Sequence, residues 1–321
     1  MDKKTARDLF YSMLRIRLVE EKIALLYAEQ EMRCPVHFCI GQEAISAGVC
    51  APLQKEDYVM SNHRSHGHYL AKGGDLNAML AEIYGKKTGC SHGKGGSMHL
   101  VDLSVGFLGA TPIVGSTIPI TTGLAFGSVM KGENRVAVSF FGDAATEEGV
   151  FAESLNFAVL KNLPVIFLCE NNFYSVNSPL SVRQSPEVEI FKRAAGHGIE
   201  SYQGDGNDVM QVYKMTKKAV DKARRGQGPA FLEFKTYRWL EHCGPLDDHP
   251  VCRPEKEVEK WKKYCPVKKY EKYILAEKIL SKGDIKDIRD ELNEEIEAAV
   301  SFAKKSPFPA ENTLYEDIYA P

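Results

Sequence analysis

The sequence has no CxxC pair, no HExxH signature and no GxGxxG turn behind a strand. It therefore lacks the strong short patterns for thiol redox chemistry, zinc peptidases and dinucleotide binding. No continuous apolar run approaches the roughly 20 residues that a membrane span needs. Neither sign of charge dominates, since 41 basic and 43 acidic residues leave a net charge of −2. That balance leaves no electrostatic footprint for nucleic acid or an anionic membrane. The eight cysteines fall at irregular spacings, and the opening stretch MDKKTARDLFYSM carries no continuous apolar segment. Reduced thiols, no secretory signal and a cytoplasmic setting are the expectation. Internal repeats and low-complexity linkers are absent as well.

What is present suits an ordinary globular core: 44% apolar and 26% charged residues in a chain of 321. Residues 5–30 predict an amphipathic helix, with Leu9, Met13, Ile16, Ile23 and Leu26 at roughly helical spacing. From 34 to 120, Gly and His accumulate between short apolar stretches, a composition that suits loops carrying a site. Residues 135–141 (RVAVSFF) predict a buried strand. The turn GDAATEEG follows, then a helix over 150–160 with Phe151, Leu155, Ala158 and Val159 on one side. A second strand covers 164–169. This is a βαβ unit, and such units build parallel sheets covered by helices. A further unit comprises a short strand over 198–202, a helix marked by Val209, Val212, Thr216, Ala219, Val220 and Ala223, and a strand over 229–237. Asn207 or Asp208 is the expected cap of that helix. The tail from Glu255 reads as mostly helical, with a stripe of Ile285, Ile288, Leu292, Ile296 and Val300 behind Asp284 as cap.

Asp143 and Asn172 lie 29 residues apart, each just past the end of a predicted strand. Parallel strands end at one edge of the sheet, and a right-handed crossover returns the chain beside its start. The two side chains can therefore converge where α/β folds bind ligands. A carboxylate and an amide oxygen suit Mg²⁺, and the helix that follows offers free N–H groups to a diphosphate. The plain alternative is that Asp143 caps a helix and Asn172 sits in an ordinary turn.

Gly142-Asp143 followed by Glu170-Asn171-Asn172-Phe173-Tyr174 resembles the thiamine-diphosphate motif, a Gly-Asp dipeptide with an Asn one crossover later. More narrowly, the chain resembles the alpha subunit of the decarboxylating component of 2-oxo acid dehydrogenases, of pyruvate or acetoin type. Residues 37–44 (HFCIGQEA), 63–68 (HRSHGH), 93–99 (GKGGSMH) and 113–115 (IVG) carry the resemblance too. So do Tyr237-Arg238 with His242, and the ending LYEDIY at 314–319. The resemblance implies one thiamine-diphosphate-binding α/β domain over 1–321. Its parallel sheet would be flanked by helices, with helical N- and C-terminal extensions, the latter over 255–321. It implies that Asp143, the Asn172 side chain and the Tyr174 carbonyl hold Mg²⁺, while backbone groups of Ala144 and Ala145 meet the diphosphate. Arg64 presents a planar fork suited to phosphate. His63 stands where many relatives carry Tyr and reaches the diphosphate or the substrate pocket. Pro112, Ile113 and Val114 read the aminopyrimidine ring through their main chain. His37 and His242 are the catalytic histidines, facing the reacting carbon or the diphosphate.

The resemblance also implies that the glutamate activating the cofactor comes from a transketolase-like beta chain. This chain is then inactive alone and works in a heterotetramer of two alpha and two beta chains. The substrate is a 2-oxo acid such as pyruvate, or acetoin, and a lipoyl acyltransferase is the implied acceptor. One alternative is an α/β enzyme that adds the acyl unit to a carbonyl acceptor such as a sugar, with an altered loop at 239–248. A second is a non-catalytic binding protein, which Asp143, Asn172, Arg64 and His37 oppose.

Three patterns are set aside. His63, His66 and His68 lack the partners of a zinc site. GCSHGKGG at 89–96 fails the spacing of a phosphate loop. The literal Gly204-Asp205-Gly206 reads as a surface turn without a convincing strand before it. Departures from the relatives are Ala144 for a Gly, Glu147-Glu148 for a polar pair, Leu240 for a His and Glu241 for a Gly.

Overall fold

Alternation along the strands decides which side of the sheet each residue serves, because successive side chains point to opposite faces. Val138, Phe140, Ile166, Leu168, Leu232 and Phe234 belong to one buried cluster. Their neighbours Ala137, Phe141, Val165, Phe167, Cys169 and Phe231 belong to another. A sheet buried on both faces needs helices on both, which is the architecture seen.

The computed structural model describes residues 2–247 and 252–316. Its elements run, in order, α1 (Lys3–Tyr27), α2 (Glu43–Cys50), β1 (Tyr58–Ser61), α3 (His66–Ala71), α4 (Leu76–Ile83), β2 (Phe107–Ala110) and α5 (Thr117–Met130). Then come β3 (Ala137–Gly142), α6 (Gly149–Leu160), β4 (Val165–Asn171), the short strands β5 (Tyr174–Ser175) and β6 (Ser178–Pro179), α7 (Leu180–Arg183) and α8 (Ile190–Ala195). The chain continues with β7 (Glu200–Asp205), α9 (Val209–Arg224), β8 (Ala230–Lys235), α10 (Glu255–Lys263), α11 (Pro266–Ala276) and α12 (Lys282–Lys305). Six strands form one sheet in the order β2-β1-β3-β4-β8-β7, every pair parallel. β5 and β6 make a separate antiparallel pair.

One face of the sheet packs on Ile16 and Ile23 of α1, Ile45 and Val49 of α2, and Val212 and Val220 of α9. The other packs on Ile118 of α5, Phe151 and Leu155 of α6, and Ile190 of α8. A third cluster joins Leu9, Phe10, Met13 and Leu14 of α1 to Val267, Tyr270 and Ile274 of α11 and to Ile285, Ile288 and Leu292 of α12. The helical ends are thus stitched to each other behind the sheet.

The structure bears out one expectation, decides a second and corrects two. The 34–120 segment is mostly loops, as its composition implies, with two strands of the sheet and four helices or helical starts set between them; these short elements escape periodicity because each spans only one or two turns or four residues there. Of the two caps expected for α9, Asp208 is the one, accepting from the N–H of Met210 and Gln211, whereas Asn207 is buried and bonds to Thr236 and the Tyr264 carbonyl. Ser281, not Asp284, caps α12; Asp284 is the reciprocal partner of the capping box. The GDG at 204–206 closes a real edge strand, β7, and Gly206 is buried rather than on a surface turn. Asp248 and residues 317–319 of the LYEDIY ending lie outside the described residues.

Candidate active site

Parallel strands all end at one edge, and five of those ends feed a single cleft. Asn62, His63 and Arg64 follow β1; Thr111 to Gly115 follow β2; Asp143 to Ala145 follow β3; Asn172 and Tyr174 follow β4; His242 follows β8 by seven residues. His37 and Gln42 enter from the segment before α2. The cleft encloses about 1000 Å³ of atom-free space, its mouth included. Every site residue expected from the sequence lines it: His37, His63, Arg64, Pro112, Val114, Asp143, Ala144, Ala145, Asn172, Tyr174 and His242.

One wall offers oxygens. Gly142 and Glu170 are register partners across β3 and β4, so Asp143 and Asn172 start from neighbouring positions. Asp143 is 1% exposed. Burial raises its carboxyl above the ordinary carboxylate range, against the pull of Arg183. Asn172 Oδ1 accepts from the Tyr174 N–H at 3.2 Å, and its Nδ2 donates to Gln42 Oε1 at 3.1 Å. The Tyr174 hydroxyl is anchored to Glu257 at 3.2 Å. Ala144 lies in a short 3-10 turn from Asp143 to Glu147. It is not among the residues with positive φ, so its methyl group adds no backbone strain.

The other wall offers cations and imidazoles. Arg64 is 5% exposed and donates to the Phe38 carbonyl at 2.8 Å and to the His242 carbonyl at 3.0 Å. Burial, and then the charge of Arg238, lower its pKa to about 9. A buried guanidinium held, among the described residues, by carbonyls and an imidazole is stabilised by an incoming anion. The rings of His37, His63 and His242 cluster with centroids 4.8, 5.0 and 5.4 Å apart. Burial, followed by Arg64, lowers His37 to about 3 and His63 to about 2. Both are neutral imidazoles at pH 7. His37 Nδ1 is buried with no hydrogen-bond partner among the described residues. The three rings place ring nitrogens within 4.8 Å of one another, a spacing that invites a metal. Arg64 and Arg238 load the same pocket with positive charge and favour an anion there instead.

The remaining motif residues serve packing. His66 is held between Glu20 and Ser97 at 3.0 and 2.7 Å, and His68 between Ser61 and Glu170 at 2.7 and 3.1 Å. The two do not converge with His63 on a zinc site. Glu43 pairs with Arg17 at 2.7 Å and accepts from the Gly41 N–H at 3.0 Å. In the Gly-rich segment, Glu82 accepts from the N–H groups of Ser91, Gly93, Gly95 and Gly96 at 2.8 to 2.9 Å. That backbone nest already holds an anion, the chain's own carboxylate, so it takes no phosphate.

Sequence reasoning missed three participants. Gln42 orients Asn172, Glu170 lines the cleft floor, and Arg183 grips Asp143 and Glu147. Gln42 and Glu170 stood inside quoted motifs without a role. Nothing in the sequence marks Arg183, which reaches the site through the β5–β6 hairpin. Glu241 accepts from the Leu246 N–H at 3.1 Å, so that departure braces the loop carrying His242.

The donor set fits the implied groups: oxygens for a hard divalent cation on one wall, and a buried cation with donor imidazoles for a diphosphate on the other. A sequence profile for the dehydrogenase E1 component family matches residues 11–312. The chain is a dehydrogenase E1 component. This is a family of thiamine-diphosphate-dependent oxidoreductases. The chain is 39% identical over 319 residues to the alpha subunit of acetoin:2,6-dichlorophenolindophenol oxidoreductase of Bacillus subtilis (strain 168), covering 99% of this chain and 95% of that one. It is 40% identical to the pyruvate dehydrogenase E1 component subunit alpha of Porphyra purpurea, over 97% of this chain and 92% of that one. For the same subunit of Rickettsia bellii (strain RML369-C) the identity is 38%, over 97% and 94%. Among the described residues of this E1 component, no helix is long and apolar enough to cross a membrane.

Proposed function

We propose that this chain is the alpha subunit of a pyruvate- or acetoin-type dehydrogenase that holds Mg²⁺ and thiamine diphosphate in the cleft. The observation that carries the reading is the meeting of five parallel strand ends in one cleft, oxygens on one wall and cations on the other. When bound, the cofactor supplies the nucleophilic carbon and electron sink for cleaving the bond beside a 2-oxo or acetoin carbonyl.

The chain's own residues bind and orient. Asp143, the Asn172 side chain and the Tyr174 carbonyl are the metal ligands, with Gln42 fixing the Asn172 amide. Backbone groups of Ala144 and Ala145, together with Arg64, take the diphosphate, and His63 faces the same space. Pro112 and Val114 offer main-chain groups to the aminopyrimidine ring. His242 Nδ1 accepts from Arg64 at 3.1 Å, so in the neutral ring the proton sits on Nε2, ready to donate. His37, neutral by burial, supplies a second donor that adds no charge to a crowded positive site. These two are the catalytic histidines of the reading.

Ile113 is 70% exposed and Val114 51%, both at the cleft mouth. Apolar groups left bare beside a cofactor site support a partner chain that covers them. The reading therefore includes a beta chain, a heterotetramer of two alpha and two beta chains, and a lipoyl acyltransferase as acceptor. Eight free thiols support a reducing cytoplasm.

The test is Asp143→Asn, titrated with thiamine diphosphate with and without Mg²⁺ in the assembled enzyme. Metal-dependent binding should be lost, and unchanged affinity would place the metal elsewhere. Transfer of the acyl unit to lipoamide, rather than to a sugar or ketone, distinguishes a dehydrogenase from a ligating enzyme.

A further inference from the structure

Asp143 is a buried carboxylate, and a buried carboxylate needs a cation beside it. Arg183 is the cation that stands beside it. Its Nη2 donates to Asp143 Oδ2, its Nη1 to Glu147 Oε1, and its Nε to the Ser178 carbonyl at 3.3 Å. The guanidinium side chain is only 12% exposed. It closes α7, a four-residue helix that follows the β5–β6 hairpin, and Gln184 adds a bond to Glu147 at 2.8 Å. The segment from Val176 to Gln184 is thereby strapped across the turn that begins at Asp143.

We propose that Arg183 is a built-in counter-ion that latches this strap onto Asp143 until Mg²⁺ displaces it. The inference rests on the reading that Asp143 is a metal ligand. Mg²⁺ and a guanidinium beside one buried carboxylate repel each other, so metal binding and the Arg183–Asp143 pair compete. Glu147 gives the released guanidinium a second anchor. The strap then swings on Glu147 instead of being lost to solvent, which gives a use to one of the chain's departures from its relatives. Closing the latch lowers the apparent metal affinity by the fraction of molecules in which Asp143 is free.

Two measurements on the full chain, assembled with its partner subunit, test this. Calorimetric titration with Mg²⁺ at saturating thiamine diphosphate should show half-saturation at a Mg²⁺ concentration on the order of tenfold lower for Arg183→Gln than for the wild type. Arg183→Lys, which keeps the charge but cannot bridge both carboxylates, should fall between. In the metal-free protein, amide hydrogen exchange over residues 176–184 should accelerate in Arg183→Gln while β7 is unchanged, which also shows that the variant is folded. Unchanged or weaker Mg²⁺ binding in Arg183→Gln overturns the latch alone. A wild type that binds the cofactor without any need for Mg²⁺ overturns the metal reading and the latch with it.

Discussion

Arg64 reaches 178 residues along the chain to donate to His242 Nδ1 at 3.1 Å, and it bonds the carbonyl of the same residue at 3.0 Å. One guanidinium thus fixes the tautomer of a histidine and the position of the loop that bears it. Replacement by Gln should weaken cofactor binding by about 2–3 kcal/mol, the scale of a charged hydrogen bond. Arg64→Lys should recover little, because an ammonium cannot supply the fork. Titration calorimetry reads both, and a Lys variant at full affinity would reduce Arg64 to a point charge.

The buried histidines make the fold acid-sensitive. His37 and His63 sit near about 3 and 2 when folded, driven down by burial and then by Arg64. Unfolded, they titrate near about 6.5. Between those values the unfolded chain binds more protons, so stability is complete above pH 6.5 and declines as the pH falls. The melting temperature should drop from pH 6.5 to 5, and the slope should flatten in His63→Tyr. An identical slope in that variant would assign the acid sensitivity to other groups.

Glu82 should matter more than its place away from the cleft implies. Its two oxygens take four backbone N–H groups of the 91–96 segment. In Glu82→Gln an NH₂ faces two of those donors, at a cost of about 3 kcal/mol. Hydrogen exchange of residues 91–96 should accelerate and the urea midpoint should fall. Protection equal to the wild type would mean that the loop holds itself.

Gly41 has φ +101°, and a Cβ there would stand 2.5 Å from the Trp239 ring and from the Tyr237 carbonyl. The segment bearing His37 lies against the one bearing His242 at this point, with backbone bonds from Trp239 to Ile40 and from Gly244 to Val36. Gly41→Ala should destabilise the chain by about 3 kcal/mol and separate the two histidines. Denaturant unfolding and turnover should fall together; activity retained in a destabilised chain would show that the histidine spacing is not critical.

The parts of this fold legible in the sequence are those with long, uniform pattern. The βαβ unit from 135 to 171 and the α9–β8 unit announce themselves because buried parallel strands are continuous apolar runs. The six-strand order could not be read there. β1 and β2 are four residues each, too short for a period, and both lie in a stretch dominated by Gly and His. Asp143 and Asn172 were legible through strand ends, and Arg64, His37 and His242 through family resemblance. Arg183 was not, since it acts through a hairpin whose reach depends on tertiary geometry. The same limit applies to His66 and His68: the sequence sets them aside as zinc ligands, and packing ties them to Glu20 and Glu170, partners that spacing does not reveal.

The cluster that joins α1 to α11 and α12 sets the timing of folding during synthesis. Leu9, Phe10, Met13 and Leu14 find partners among residues 265–292, which leave the ribosome late. At about 5–20 residues per second, that apolar stripe waits tens of seconds without its cover. α1 thus emerges well before the helices that cover it, and a nascent chain presents that sticky face to chaperones until α11 and α12 have been made.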